Sequence, residues 1–184
     1  MAIEYPKILM IGGNARKSGK TSFICKILSK FGTDNPIVAL KIALYTDKEV
    51  LQSHYGLKKD EDFHEVRETS SSGDKDSSRY VSAGAMEGWF IAAMEDETGT
   101  EKIRERLDFL IESGRLLIIE SNRMRKFIEP GLFLMVNHTE HEDKSGAKAF
   151  QQMSDLLVEP DSEEYNEIEK YIAIEEKNWV LKNE

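Results

Sequence analysis

Residues 7–22 read KILMIGGNARKSGKTS, and this stretch decides the fold. Residues 7–11 are an apolar run ending in Gly12-Gly13, which predicts a buried strand feeding a glycine turn. Beyond the turn, Phe23, Ile27 and Phe31 recur on one face with Ile24 and Leu28 beside them. That spacing predicts a helix, and Gly32 stops it. Residues 37–42 form a second apolar run, β-branched at its start, and read as a second buried strand. Strand, helix and strand at this spacing make a βαβ unit, with parallel strands and a right-handed crossover.

The turn itself carries chemistry. A polyphosphate needs many hydrogen-bond donors in a small volume. Small residues let backbone N–H groups point inward, and the following helix adds its positive N-terminal end. The motif G-x-x-x-x-G-K-[ST] is met at Gly19-Lys20-Thr21, while Asn14 stands where the first glycine belongs and Gly13 precedes it by one. Asn tolerates a left-handed backbone better than other non-glycine residues, so a turn at Asn14 stays feasible. Gly13, Asn14, Ala15, Arg16, Lys17, Ser18, Gly19, Lys20, Thr21 and Ser22 are therefore the expected nucleotide contacts. Lys20 reaches the outer phosphates and the Thr21 hydroxyl meets Mg2+.

The rest of the chain extends the pattern. Further strands are expected at residues 88–94, 116–119, 132–136 and, more weakly, 156–158. Ile103, Leu107, Leu110 and Ile111 mark a helix ending near Gly114. Residues 57–78 are charged and then serine-rich, and read mostly as a loop that orders over a ligand. Residues 162–182 are acidic and read as helical, with Tyr165, Ile168, Ile172 and Trp179 available to pack. The expected architecture is α/β: one three-layer P-loop nucleotide-binding domain with a mostly parallel central sheet.

Composition sets outer bounds. The 184 residues carry a formal net charge of −9, which argues against broad electrostatic binding to nucleic acid or an anionic membrane. The single cysteine, Cys25, rules out an intramolecular disulfide and a cysteine-based metal cluster. No apolar run is long enough for a membrane span and no secretory signal pattern opens the chain, so the expected location is cytoplasmic.

In open α/β sheets ligands bind beyond the carboxyl ends of the strands, so the residues there are candidates. Glu120 follows residues 115–119 and is placed to hold Mg2+ through a water or to orient an attacking water. Lys20 and Glu120 are the catalytic candidates, and Thr21 and Glu120 the metal candidates. Asn137-His138-Thr139-Glu140 follows the strand at 132–136 as a degenerate echo of the guanine signature N-K-x-D. An Asn amide can meet the guanine edge there, or the segment is a plain polar loop. His138 and His141, with Glu140, Glu142 and Asp143, read as a solvated turn rather than a zinc site.

A second element extends the glycine loop. Asp76-Ser77, within residues 74–85 (DKDSSRYVSAGA), resembles the G-K-D-S … A-G-A element of MobB proteins, the molybdopterin-guanine dinucleotide biosynthesis protein B family. Residues 116–120 are similar to that family's hydrophobic strand ending in V-E-G, and Lys41 to its I-K segment. The resemblance spans most of residues 1–136 and implies a GTP-binding adaptor that supports nucleotide attachment to the molybdenum cofactor. It also implies weak GTP hydrolysis, a homodimer, a partner protein of that pathway and a ligand contact at Asp76, the alternative for Asp76 and Ser77 being to cap the helix that runs into residues 83–85. Ile42-Ala43-Leu44 replaces the family's histidines, residues 71–74 (SSGD) replace its D-x-P-G, and Ser121 replaces the glycine after Glu120. The alternatives are a small-molecule or nucleotide kinase, using Arg123 and Arg125 as a lid over the phosphates, and a non-catalytic nucleotide-gated interaction module. GTP is the expected nucleotide, ahead of ATP.

Overall fold

The computed structural model describes residues 3–73, 75–138 and 146–182. In chain order its elements begin β1 (Ile3–Gly13), α1 (Lys20–Phe31), β2 (Ile37–Tyr45), α2 (Lys48–Tyr55), β3 (Phe63–Glu68), α3 (Asp76–Ser82), β4 (Glu87–Met94), α4 (Glu97–Glu112) and β5 (Leu116–Glu120). A 3-10 turn at Arg123–Lys126 leads into β6 (Ile128–Val136), α5 (Ala147–Gln152), β7 (Leu156–Val158) and α6 (Glu163–Asn166). A second 3-10 turn, Ile168–Lys170, precedes β8 (Ile172–Glu175) and β9 (Asn178–Leu181).

Seven strands form one sheet in the order β3-β4-β2-β5-β1-β6-β7. All neighbours run parallel except β3, which pairs antiparallel to β4 at the edge. The chain is thus α/β, with a mostly parallel sheet between helical layers. Side chains alternate across the strands, so Leu9 and Ile11 pack on one face with Phe23, Ile24 and Ile27 of α1. Ile8 and Met10 pack on the other with Ile103, Leu107 and Leu110 of α4. Strands β5 and β1 are neighbours whose onward connections diverge: β1 leads to β2, beyond β5, and β5 leads to β6, on the far side of β1. Their carboxyl ends therefore open a crevice at the middle of the sheet.

One expectation needs correction. Residues 162–182 are not one helix. After the single turn of α6 the chain forms the antiparallel hairpin of β8 and β9, turning at Glu176 and Lys177, which both have positive φ (49° and 62°). Tyr165, Ile168, Ile172 and Trp179 still pack as expected, joining the α1 face of the core. Residues 57–78 are mostly outside helix and strand, as expected, but they also contain β3, and α3 starts at Asp76. Among the described residues no helix is long and apolar enough to cross a membrane.

Candidate functional site

The site begins with the geometry of the loop between β1 and α1. Gly13 ends β1 where the chain folds back on itself. A Cβ there would lie 2.3 Å from Ser18 Oγ and 2.9 Å from Lys20 Cδ, so only glycine lets the loop close this tightly. Asn122 fixes the same point, donating to Gly13 O at 2.9 Å and accepting from Gly13 N at 2.8 Å. The left-handed residues of the loop are Lys17 (φ 65°) and Gly19 (φ 91°). Asn14, expected to take that conformation, does not. It is buried and its side chain ties the loop to the end of β6, donating to His138 O at 3.0 Å and accepting from His138 N at 2.9 Å.

Gly19 caps α1 without any side-chain hydrogen bond to the first turn. The amides opening α1 stand at the end of the helix where the dipole favours an anion. Lys20 folds back over the loop, its ammonium 3.2 Å from both Ala15 O and Ser18 Oγ.

Across the crevice, β5 ends in Glu120, which is buried. Its Oε2 accepts from the Thr21 hydroxyl at 2.9 Å and from the Tyr80 hydroxyl at 2.6 Å. Lys41 lies 3.3 Å from Oε1 and 2.5 Å from Asp76 Oδ2. Arg79 completes the ring, 3.6 Å from Asp76 Oδ1 and donating to Ser22 Oγ at 3.3 Å. Burial, with the Glu120 carboxylate alongside, raises the Tyr80 hydroxyl well above its usual range, so it stays a donor. Burial alone would lower Lys41, but the carboxylates of Glu120 and Asp76 outweigh it and the ammonium is raised above its ordinary value.

These groups surround a cavity of about 550 Å³ lined by Arg16, Lys17, Gly19, Lys20, Thr21, Ser22, Lys41, Asp76, Arg79 and Glu120. Five of its walls are cationic side chains and two are carboxylates, a balance that suits a polyanion within an acidic chain. A divalent cation also fits the donor set. Among the described residues no group of three His, Cys, Asp or Glu side chains could hold a metal alone. Thr21, whose hydroxyl hydrogen goes to Glu120, keeps oxygen lone pairs facing the cavity. Mg2+ is ordinarily held by one or two protein oxygens plus phosphates and water.

The expected contacts are sorted by this geometry. Arg16, Lys17, Gly19, Lys20, Thr21, Ser22, Asp76 and Glu120 converge on the cavity, Asp76 through ion pairs rather than as a cap of α3, while Gly13, Asn14, Ala15 and Ser18 are buried and do not line it. Asn137 stands apart: its Oδ1 accepts from Gln151 Nε2 at 2.8 Å and it does not line the cavity. Thr139, Glu140, His141, Glu142 and Asp143 lie outside the described residues. The arginines expected as a lid are engaged elsewhere. Arg123 donates to Leu44 O and pairs with Glu95, and Arg125 is buried against Ile128 O, Glu129 and the Phe133 ring. Tyr80 and Arg79 were not legible as site residues. Their only signal is helical spacing from Asp76, which puts all three on one side of α3.

No protein family, curated protein or solved structure matches the chain.

Proposed function

We propose that this chain is a P-loop protein that binds a magnesium nucleoside triphosphate between β1 and α1. The carrying observation is the Thr21 hydroxyl donating to Glu120 at 2.9 Å, at the mouth of an uncapped helix over which Lys20 is folded. In this reading the Lys20 ammonium exchanges Ala15 O and Ser18 Oγ for the outer phosphates. The amides of residues 15–20 and the cations Arg16 and Lys17 hold the remaining phosphate charge. Thr21 and, through water, Glu120 would hold Mg2+, which supplies charge neutralisation between the outer phosphates.

The same geometry favours slow turnover. Glu120 already accepts from Thr21 and Tyr80 and pairs with Lys41, so it is a poor base for an attacking water. We read the chain as a GTP-binding accessory protein of MobB type, acting with a partner and as a homodimer, rather than as a fast enzyme. Preference for guanine rests on the resemblance, not on a contact from Asn137. Calorimetric titration with GTP and ATP, each with Mg2+ or with EDTA, tests this. Tighter binding of GTP, strengthened by Mg2+, is expected. Equal or tighter ATP binding removes the guanine reading, and no binding of either removes the nucleotide reading.

A further inference from the structure

The Lys41–Asp76 ion pair has two sides. One faces the cavity above the glycine loop. The other faces a separate recess of about 310 Å³ lined by Lys41, Lys75, Asp76, Ser77 and Phe90. The sheet explains why it is there. Lys41 pairs in register with Phe90, and Val66 of β3 pairs with Phe90 on its other side, so the three lie in one row across the same face. Helix α3 begins at Asp76, and beyond it the face is left half-exposed at Lys41, Phe90, His64 and Tyr45.

That open area is aromatic. Tyr55 of α2 stacks on His64 at 4.8 Å between ring centroids, with 16° between planes, and lies 5.6 Å from Phe90. Tyr45 meets Tyr55 edge-on at 6.0 Å. Phe90 belongs both to this shelf and to the recess. The charges lining the recess favour an anion: Lys41 and Lys75 stand against Asp76, and among the described residues Lys75 is in no ion pair. Holding α2 on the sheet would explain the aromatic contacts alone. It explains neither a recess opening at Phe90 nor the unpaired cation on its rim.

We propose that this recess is a second ligand site, for a planar heteroaromatic ring carrying a phosphate. The ring lies against Phe90 and the aromatic shelf, and the phosphate meets Lys75 and Lys41. Aromatic faces accept such rings with little regard to their hydrogen-bonding edges, and lysine serves a phosphate as a point charge. Lys41 also lines the first cavity, so the two ligands meet at this one ammonium. That juxtaposition rests on the nucleotide reading above, while the contacts of the recess do not.

Nucleoside monophosphates are the probe. AMP and GMP are titrated into the wild-type protein and into Lys20→Ala, Phe90→Ala and Lys75→Glu, with inorganic phosphate as control and a thermal melt of each variant. Both monophosphates are expected to bind wild type and Lys20→Ala alike, and more tightly than phosphate. Affinity should fall at least tenfold in Phe90→Ala and several-fold in Lys75→Glu, with Mg-GTP binding retained in both. Lys75 is exposed, so its variant reports even where Phe90→Ala unfolds. Monophosphate binding that is absent, no tighter than phosphate, or lost in Lys20→Ala but kept in Lys75→Glu overturns the proposal. Mg-GTP binding that survives Lys20→Ala overturns instead the reading of the glycine loop.

Discussion

Replacing Gly13 by alanine separates the loop's chemistry from its packing. The new Cβ would sit 2.3 Å from Ser18 Oγ, against an ordinary contact of at least 3.4 Å, so Ser18 or the chain around it must retreat by roughly 1 Å. Ser18 is fully buried and its hydroxyl also holds Lys20, so the displacement passes to the ammonium. Overpacking of this kind costs about 1–3 kcal/mol. For a chain of this size that lowers the melting temperature by about 2–12 °C. Displacing one charged hydrogen bond from the phosphates costs about 1.5–3 kcal/mol, or roughly ten- to a hundredfold in affinity. Gly131→Ala is the control, since its Cβ would meet Pro6 O at 2.3 Å, far from the cavity. Calorimetric titration with Mg-GTP and thermal melts of both variants are the assay. Comparable destabilisation with affinity lost only in Gly13→Ala is expected. Equal affinity in the two variants would refute the argument that loop closure at Gly13 shapes the binding site.

Thr21→Val removes the hydroxyl while keeping the shape, so GTP should bind equally with Mg2+ and with EDTA; persistent enhancement by Mg2+ in a titration would count against Thr21 as a metal ligand. Asn14→Ala removes two hydrogen bonds to the His138 main chain and should lower stability by about 1–3 kcal/mol in urea melts. Burial opposes ionisation of Glu87, but hydrogen bonds from Trp89 and Arg67 and the charge of Arg115 outweigh it and lower its pKa below the ordinary 4.5. Its contribution is thus present above about pH 4.5 and lost as pH falls through the depressed value. Urea melts from pH 6 to 3 should show wild type losing more stability than Glu87→Gln, and parallel losses would exclude this linkage.

The sequence announces some of these elements and hides others for physical reasons. Strands β1, β2, β5 and β6 are buried on both faces, so they read as continuous apolar runs. Edge strand β3 reads FHEVRE, is only half-buried, and has charges that find partners: Arg67 on Glu87 and Glu65 on Arg106. Polar composition therefore passes for loop. The hairpin at the end of the chain misleads in another way. Tyr165, Ile168 and Ile172 fall at helical spacing, and the turn uses Glu176-Lys177 instead of the usual glycine or asparagine pair. At the site, Glu120 was legible because it ends an apolar run. The strand holding Lys41 was expected to end at residue 42, yet β2 continues to Tyr45 and Lys41 meets Glu120 from within it. Tyr80 could not be read as a partner of Glu120, because their contact depends on how α3 packs against α1 and the sheet.

The most direct test of the central claim is the thermal shift produced by Mg-GTP in wild type and in Lys20→Ala. A ligand that binds only the folded state raises its stability by about 2.7 kcal/mol at a hundred times Kd. That corresponds to roughly 5–11 °C for a chain of this length. Lys20 is partly exposed and its ammonium donates to Ala15 O and Ser18 Oγ of its own loop, so the variant should fold and melt near the parent temperature without nucleotide. A shift of that size is expected in wild type and none in the variant. An equal shift in both would place the nucleotide somewhere other than the loop between β1 and α1.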